Sequence, residues 1–192
     1  MKQKKTPVPP PSVRTNLTLS NGLSLLRAAL TLPLVLLLLD GPVANRLAIL
    51  GISVLAYASD LLDGWVARTF KQESDLGRIL DPLADKIFIG AAVIALLVAG
   101  GIPVWFGVLV LARDVVIFAG GMWLRSRTGV LVQSTMTGKA TVVAIGVVLV
   151  ASLFRDDMTS TTFILLQLAA LGFITASLIT YGQRFFRILR KK

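Results

Sequence analysis

Residues 59–86 read "SDLLDGWVARTFKQESDLGRILDPLADK" and lie between two runs of nearly pure hydrocarbon, yet they hold six of the ten acidic residues of the chain. Four of these, Asp60, Asp63, Asp81 and Asp85, stand directly against the apolar runs. Asp60 and Asp63 are three residues apart and Asp81 and Asp85 four, so on helices each pair shares a face. The loop between the pairs, near 69–76, is short. Antiparallel packing of the two neighbouring helices is therefore expected to gather four carboxylates. Like charges at membrane depth repel strongly, because Coulomb energies rise as the dielectric falls, so something cationic must neutralise them. A buried ion-pair network drawing on Arg68, Lys86 and Arg113 would do so. Divalent metal is the preferred reading: all-oxygen ligation suits Mg2+ or Mn2+, and such a cluster can hold two ions about 3.5–4 Å apart.

Composition sets the frame for that cluster. The chain has 192 residues, 55% hydrophobic and 16% charged, which places it in the membrane class and, with no internal repeat, in one domain. Cys and His are absent, which excludes disulfides, zinc sites, thiol nucleophiles and imidazole bases. Chemistry must run on carboxylates, cations and hydroxyls. A net charge of +10 on so apolar a chain points to anionic lipid headgroups and not to nucleic acid. The opening segment "MKQKKTPVPPPSVRTNLTLSNG" (1–22) is polar, basic and Pro-rich, so no cleavable signal peptide is expected and 1–15 reads as a disordered tail.

Hydropathy predicts an all-α integral membrane protein with six spans in one bundle, near 22–39, 45–66, 81–99, 102–124, 138–154 and 162–182. The segments "LLDGPVAN", "VAGGIPVW" and "FRDDMTSTT" read as turns. The catalytic domain is thus expected over 16–182, with a basic tail at 183–192. With both termini cytoplasmic, only Arg46 and Arg155 of the 20 Lys and Arg residues fall outside, as the positive-inside rule asks. The acidic stretch then faces the cytoplasm. The terminal "QRFFRILRKK" reads as an amphipathic anchor on anionic lipid.

Asp60-x-x-Asp63-Gly64-x-x-Ala67-Arg68, eight residues, then Gly77-x-x-x-Asp81-x-x-x-Asp85 resembles the complete signature of the CDP-alcohol phosphotransferase (phosphatidyltransferase) family. The resemblance implies a six-helix membrane enzyme, commonly a homodimer, that moves the phosphatidyl group of CDP-diacylglycerol onto an alcohol and releases CMP. By the same resemblance Asp60, Asp63, Asp81 and Asp85 bind two divalent cations, Mg2+ or Mn2+, and Asp85 also acts as base on the attacking hydroxyl. Asp60, Gly64 and Arg68 would contact the CDP-lipid, with Ser74 at a further nucleotide-binding position.

Several residues refine the comparison. "NGLSLLR" (21–27) is similar to an Asn-x-x-Thr-x-x-Arg segment of the phosphatidylglycerophosphate synthases of this family, with Ser24 in place of Thr. Asn21 and Ser24 are candidate CDP-lipid contacts, against the alternative that Asn21 or Ser20 caps the first helix. Arg27, inside an otherwise apolar helix, either serves the site or snorkels to headgroups. Arg113 in "VLVLARDVVIF" is expected to bind an anionic acceptor, the alternative being simple neutralisation by Asp114. Lys139 in "MTGKATVV" resembles the Gly-Lys-x-x-Thr element of those synthases, although Thr141 comes one residue early; the other reading is an interfacial anchor. Arg125 and Arg127 read as topogenic loop charges. These cations favour glycerol 3-phosphate as acceptor, giving phosphatidylglycerophosphate. A cardiolipin-synthase-type lipid acceptor and inositol phosphate are the alternatives within the fold, and a membrane cation transporter the alternative outside it. Transporters place sites near the midplane and often show inverted repeats; neither feature is found here. A phospholipase-D-type cardiolipin synthase needs histidine, which the chain lacks.

Overall fold

A computed structural model describes the backbone over 19–70, 77–128 and 135–190, with side chains throughout those stretches except at 19–21, 23–24, 60, 63–70 and 77–85. Long apolar runs become helix, in α1 even across Pro33, because each closes its own backbone hydrogen bonds, the condition for burial in hydrocarbon. Among the described residues there are six α-helices, one 3-10 turn and no strand. The helices are α1 (Leu19–Asp40), α2 (Arg46–Phe70), α3 (Gly77–Val98), α4 (Val104–Thr128), α5 (Met136–Ser152) and α6 (Ser160–Arg190).

The three sequence-predicted turns all separate helices. α3 stops because Gly100 takes a left-handed φ of 70°, which lets Gly101 N donate to Leu96 O at 2.8 Å and Gly100 N to Leu97 O at 3.2 Å. At the α1–α2 turn, Gly41 has φ 148° and the Asn45 amide donates to the carbonyls of Leu37 and Gly41. These connections meet at one end of the bundle. Arg46 pairs with Asp157, and Arg155 Nη1 donates to the Gly100 carbonyl at 3.1 Å. Both residues of the Arg46–Asp157 pair are solvent-accessible, so Asp157→Ala is expected to change thermal stability by less than about 1 kcal/mol.

α1 packs against both α2 and α3, α5 against α6, and α4 bridges the groups by touching α3 and α6. The sequence suggests that α2 and α3 pack antiparallel as neighbours. Among the described residues their direct contact is slight, and α1 is the shared wall. The core, with Leu34, Leu38, Val93, Leu96, Phe106, Val110, Val148 and Ile174, lies nearer the turn end. Many large apolar side chains face outward: Leu47 is 79% exposed, Val98 73% and Val143 67%. A continuous apolar exterior on a helical bundle is the surface a bilayer covers.

α4 and α6 are long and apolar enough to cross a membrane. α5 is shorter, 17 residues over Met136–Ser152. In α2 and α3 the acidic motif lies inside the helix, which continues through it. α6 also outruns the expected span: the basic segment begun at 183 continues the helix to Arg190, because no Gly or Pro follows Gly182 to stop it.

α3 and α4 approach closely at Gly107, where an added Cβ would stand 2.7 Å from three carbons of the Leu97 side chain. Gly107→Val is expected to cost about 1–3 kcal/mol through overpacking. A melting curve in detergent measures it, with Gly120→Ala, which meets open space, as the control.

Candidate functional site

Helix geometry places the motif at the end opposite the turns. At 1.5 Å per residue, Asp60 lies ~21 Å and Asp63 ~26 Å along α2 from Arg46, and Asp85 and Asp81 lie at matching ~20 Å and ~26 Å from Val98 on α3. The two acid pairs therefore sit at the same level of two antiparallel helices that share α1 as neighbour. Gly64 and Arg68 follow on α2. The side chains of Asp60, Asp63, Arg68, Asp81 and Asp85 lie outside the described residues, and so does Ser74 altogether. The donor set is four carboxylates with no thiol or imidazole in the chain, which fits a hard divalent cation.

α1 contributes to the same end. Asn21 and Ser24 lie on its first turns, with side chains outside the described residues. The helix already includes Leu19, so Ser20 and Asn21 are within it and do not occupy its cap. Arg27 is 2% exposed and ~20 Å along α1 from Asp40, level with the acids. It is a buried guanidinium and does not snorkel. The Thr31 hydroxyl donates to its carbonyl at 3.1 Å. Of its two sequence readings, burial removes snorkelling and leaves a fixed positive charge on α1 at the level of the motif. Arg27→Met is expected to lower stability by about 3–5 kcal/mol, as loss of one partner from a buried charged cluster does, measured by denaturation in detergent against Arg27→Lys.

Lys86, next to Asp85, has its ammonium 4.7 Å from the centroid of Phe118, which fixes α3 against α4 beside the motif. Arg113 stands five residues before Phe118, ~8 Å towards the turns. It is 7% exposed, Nη1 donating to Asp114 Oδ1 at 2.5 Å and Nη2 to Ser177 Oγ of α6 at 3.0 Å. Its Nε has no hydrogen-bond partner among the described residues. Asp114 thus neutralises it, the alternative reading of Arg113.

Lys139 is exposed on the first turn of α5. That turn is set by Thr135, whose hydroxyl accepts from Gly138 N at 3.0 Å. Thr141 has a structural duty: fully buried, its hydroxyl lies 2.9 Å from the Phe173 carbonyl and ties α5 to α6. Arg125 and Arg127 occupy the last turn of α4, at the motif end, with Arg127 stacked over Trp123 at 5.5 Å. Lys139, Arg125 and Arg127 thus belong to the motif end of the bundle, whereas Arg113 sits nearer the middle, on the turn side of the α4 midpoint.

Comparison with known proteins bears on this arrangement. The family model described as CDP-alcohol phosphatidyltransferase matches residues 17–179. A cardiolipin synthase (CMP-forming) of Rattus norvegicus is 40% identical over 112 residues, 58% of this chain and 36% of the relative. A probable phosphatidylglycerophosphate synthase of Mycobacterium tuberculosis is 36% identical over 99 residues, 50% of this chain and 47% of that protein. A CDP-diacylglycerol–glycerol-3-phosphate 3-phosphatidyltransferase of Bacillus subtilis is 31% identical over 104 residues, 52% of this chain and 53% of that protein. The matched region thus spans about a third to a half of the length of these relatives.

Proposed function

The chain belongs to the CDP-alcohol phosphatidyltransferase family, and from that premise we propose that it transfers the phosphatidyl group of CDP-diacylglycerol to glycerol 3-phosphate, forming phosphatidylglycerophosphate and CMP. The observation that carries the reading is the level match of Asp60 and Asp63 on α2 with Asp85 and Asp81 on α3 around a common neighbour, α1.

Asp60, Asp63, Asp81 and Asp85 hold two divalent cations, Mg2+ or Mn2+, which when bound neutralise the diphosphate and stabilise departing CMP. Arg68 adds a positive charge towards the diphosphate, and Gly64 leaves room for the CDP moiety to approach the α2 backbone. Asn21, Ser24 and Ser74 offer polar groups to the nucleotide. Asp85 takes the proton of the acceptor hydroxyl as its oxygen attacks the phosphatidyl phosphorus. The bond from that phosphorus to the CMP oxygen breaks, and CMP leaves with the electron pair. Arg113 Nε and the Lys139 ammonium receive the acceptor's phosphate.

Six spans, with the motif end and both termini at the cytoplasmic face of the cell membrane, follow from the positive-inside distribution and the apolar exterior. A homodimer is part of this reading. Because the chain has no cysteine, Ser126→Cys and Thr159→Cys each create a single thiol, at the motif and turn ends respectively. An impermeant maleimide applied to intact cells is expected to label Thr159→Cys and spare Ser126→Cys; the reverse pattern would invert the orientation.

The name of the Rattus norvegicus relative favours a second reading, phosphatidylglycerol as acceptor. Purified protein with CDP-diacylglycerol and Mg2+ or Mn2+ separates the two when glycerol 3-phosphate, phosphatidylglycerol and inositol phosphate are offered one at a time. CMP release dependent on glycerol 3-phosphate supports the first reading. Release only with phosphatidylglycerol transfers the assignment to the second, and release with none sinks both.

A further inference from the structure

The turn end of the bundle encloses a cavity of ≈ 510 Å³ that phosphatidyl transfer does not use. Gln167 of α6 lines it and is 2% exposed, yet its Nε2 has no hydrogen-bond partner among the described residues. A buried amide donor left unmet is unfavourable, a cost an apolar side chain at this place would avoid. Arg155 stands at the rim. Its Nη1 is fixed by the Gly100 carbonyl at 3.1 Å and its guanidinium lies 5.5 Å from the Phe163 centroid, so the cation is held in place with other N–H groups to spare. The N-terminus of the 31-residue α6 opens on the same rim at Thr159 and Ser160, adding positive dipole character. The half-exposed Trp105 flanks it as an interfacial aromatic would.

Donors lining one cavity suit an oxyanion, and the carboxylate of Asp156, which also lines it, asks for a donor in return. A phosphodiester headgroup meets both demands, because it carries one negative charge and a hydroxyl or ammonium a few bonds away. Inorganic phosphate has a P–OH to give as well, but no apolar chain to meet Ile102, Trp105 and Ile164 of the same lining. We propose that this cavity is a second lipid site, binding the headgroup of a phospholipid from the leaflet opposite the carboxylate motif, with Gln167 and Arg155 as its phosphate ligands. The proposal rests on the membrane placement above and not on the reaction.

Ser160→Cys puts the sole thiol of the chain at the cavity mouth. Maleimide labelling of the purified protein in detergent then reports occupancy without any turnover. Short-chain phosphatidylglycerol or phosphatidylethanolamine is expected to slow labelling. Adding Gln167→Leu, or separately Arg155→Gln, should weaken that protection about fivefold in lipid concentration, the loss of one hydrogen bond, while CMP release stays at the parent value. Lack of protection, or equal protection by diacylglycerol or inorganic phosphate, would overturn the proposal. So would unchanged protection in Gln167→Leu accompanied by a higher melting temperature, which would mark the amide as meeting water only. Failure here with intact CMP release leaves the transferase reading standing; loss of CMP release in the parent protein with protection preserved does the opposite.

Discussion

Asp81→Ala is expected to lower CMP release from CDP-diacylglycerol by about 10³ or more while the protein still inserts and purifies as a helical bundle. Removal of any one carboxylate takes away a cation ligand from a cluster whose members act as a unit, so Asp60, Asp63 and Asp85 should behave alike. Asp81→Asn keeps the shape and loses only the charge, and the same loss is expected from it. The effect belongs to position and not to acidity in general. Glu73→Gln removes a charge from the same stretch outside the motif and should leave turnover near the parent value. Initial rates of CMP formation, with circular dichroism and gel filtration to verify folding, decide the matter. Near-parent activity in Asp81→Ala would end the two-cation assignment.

Arg113→Ala is expected to raise the KM for glycerol 3-phosphate by about 10–100-fold, the range of a lost hydrogen bond to a charged group, with a much smaller rise for CDP-diacylglycerol. The same change strips Asp114 and Ser177 of their guanidinium partner, so stability will fall as well. The two effects separate in the Asp114→Asn variant. Neutralising Asp114 removes the ion pair yet leaves the Arg113 charge and Nε in place, so it should shift melting without matching the change in acceptor KM. An equal rise in both KM values for Arg113→Ala would reassign Arg113 to helix packing between α4 and α6.

Much of this architecture is legible before any coordinates are drawn. Hydropathy finds α1 to α6 because each is a long apolar run, and Gly41, Gly100 and Asn45 mark the turns by their backbone chemistry. The motif is legible because fixed spacing on two helices fixes which acids share a face. Hydropathy cannot reveal which helix lies beside which. A span apolar on every side carries little moment, so nothing in 19–40 tells that α1 stands against both α2 and α3, or that this placement buries Arg27. For the same reason Ser177 and Thr141 read as incidental small polar residues until their partners, Arg113 and the Phe173 carbonyl, are seen across the α6 interface. The continuation of α6 to Arg190 escapes a reading based on apolar length, since a helix can leave the membrane without ending.

Equilibrium binding of Mn2+ to the purified protein, followed by the electron paramagnetic resonance signal of the free ion, tests the central claim without recourse to turnover. The account predicts about two Mn2+ per chain in the presence of CDP-diacylglycerol, and none held at comparable affinity when Asp60, Asp63, Asp81 and Asp85 are all changed to Asn. Undiminished Mn2+ binding by that fourfold variant would contradict it.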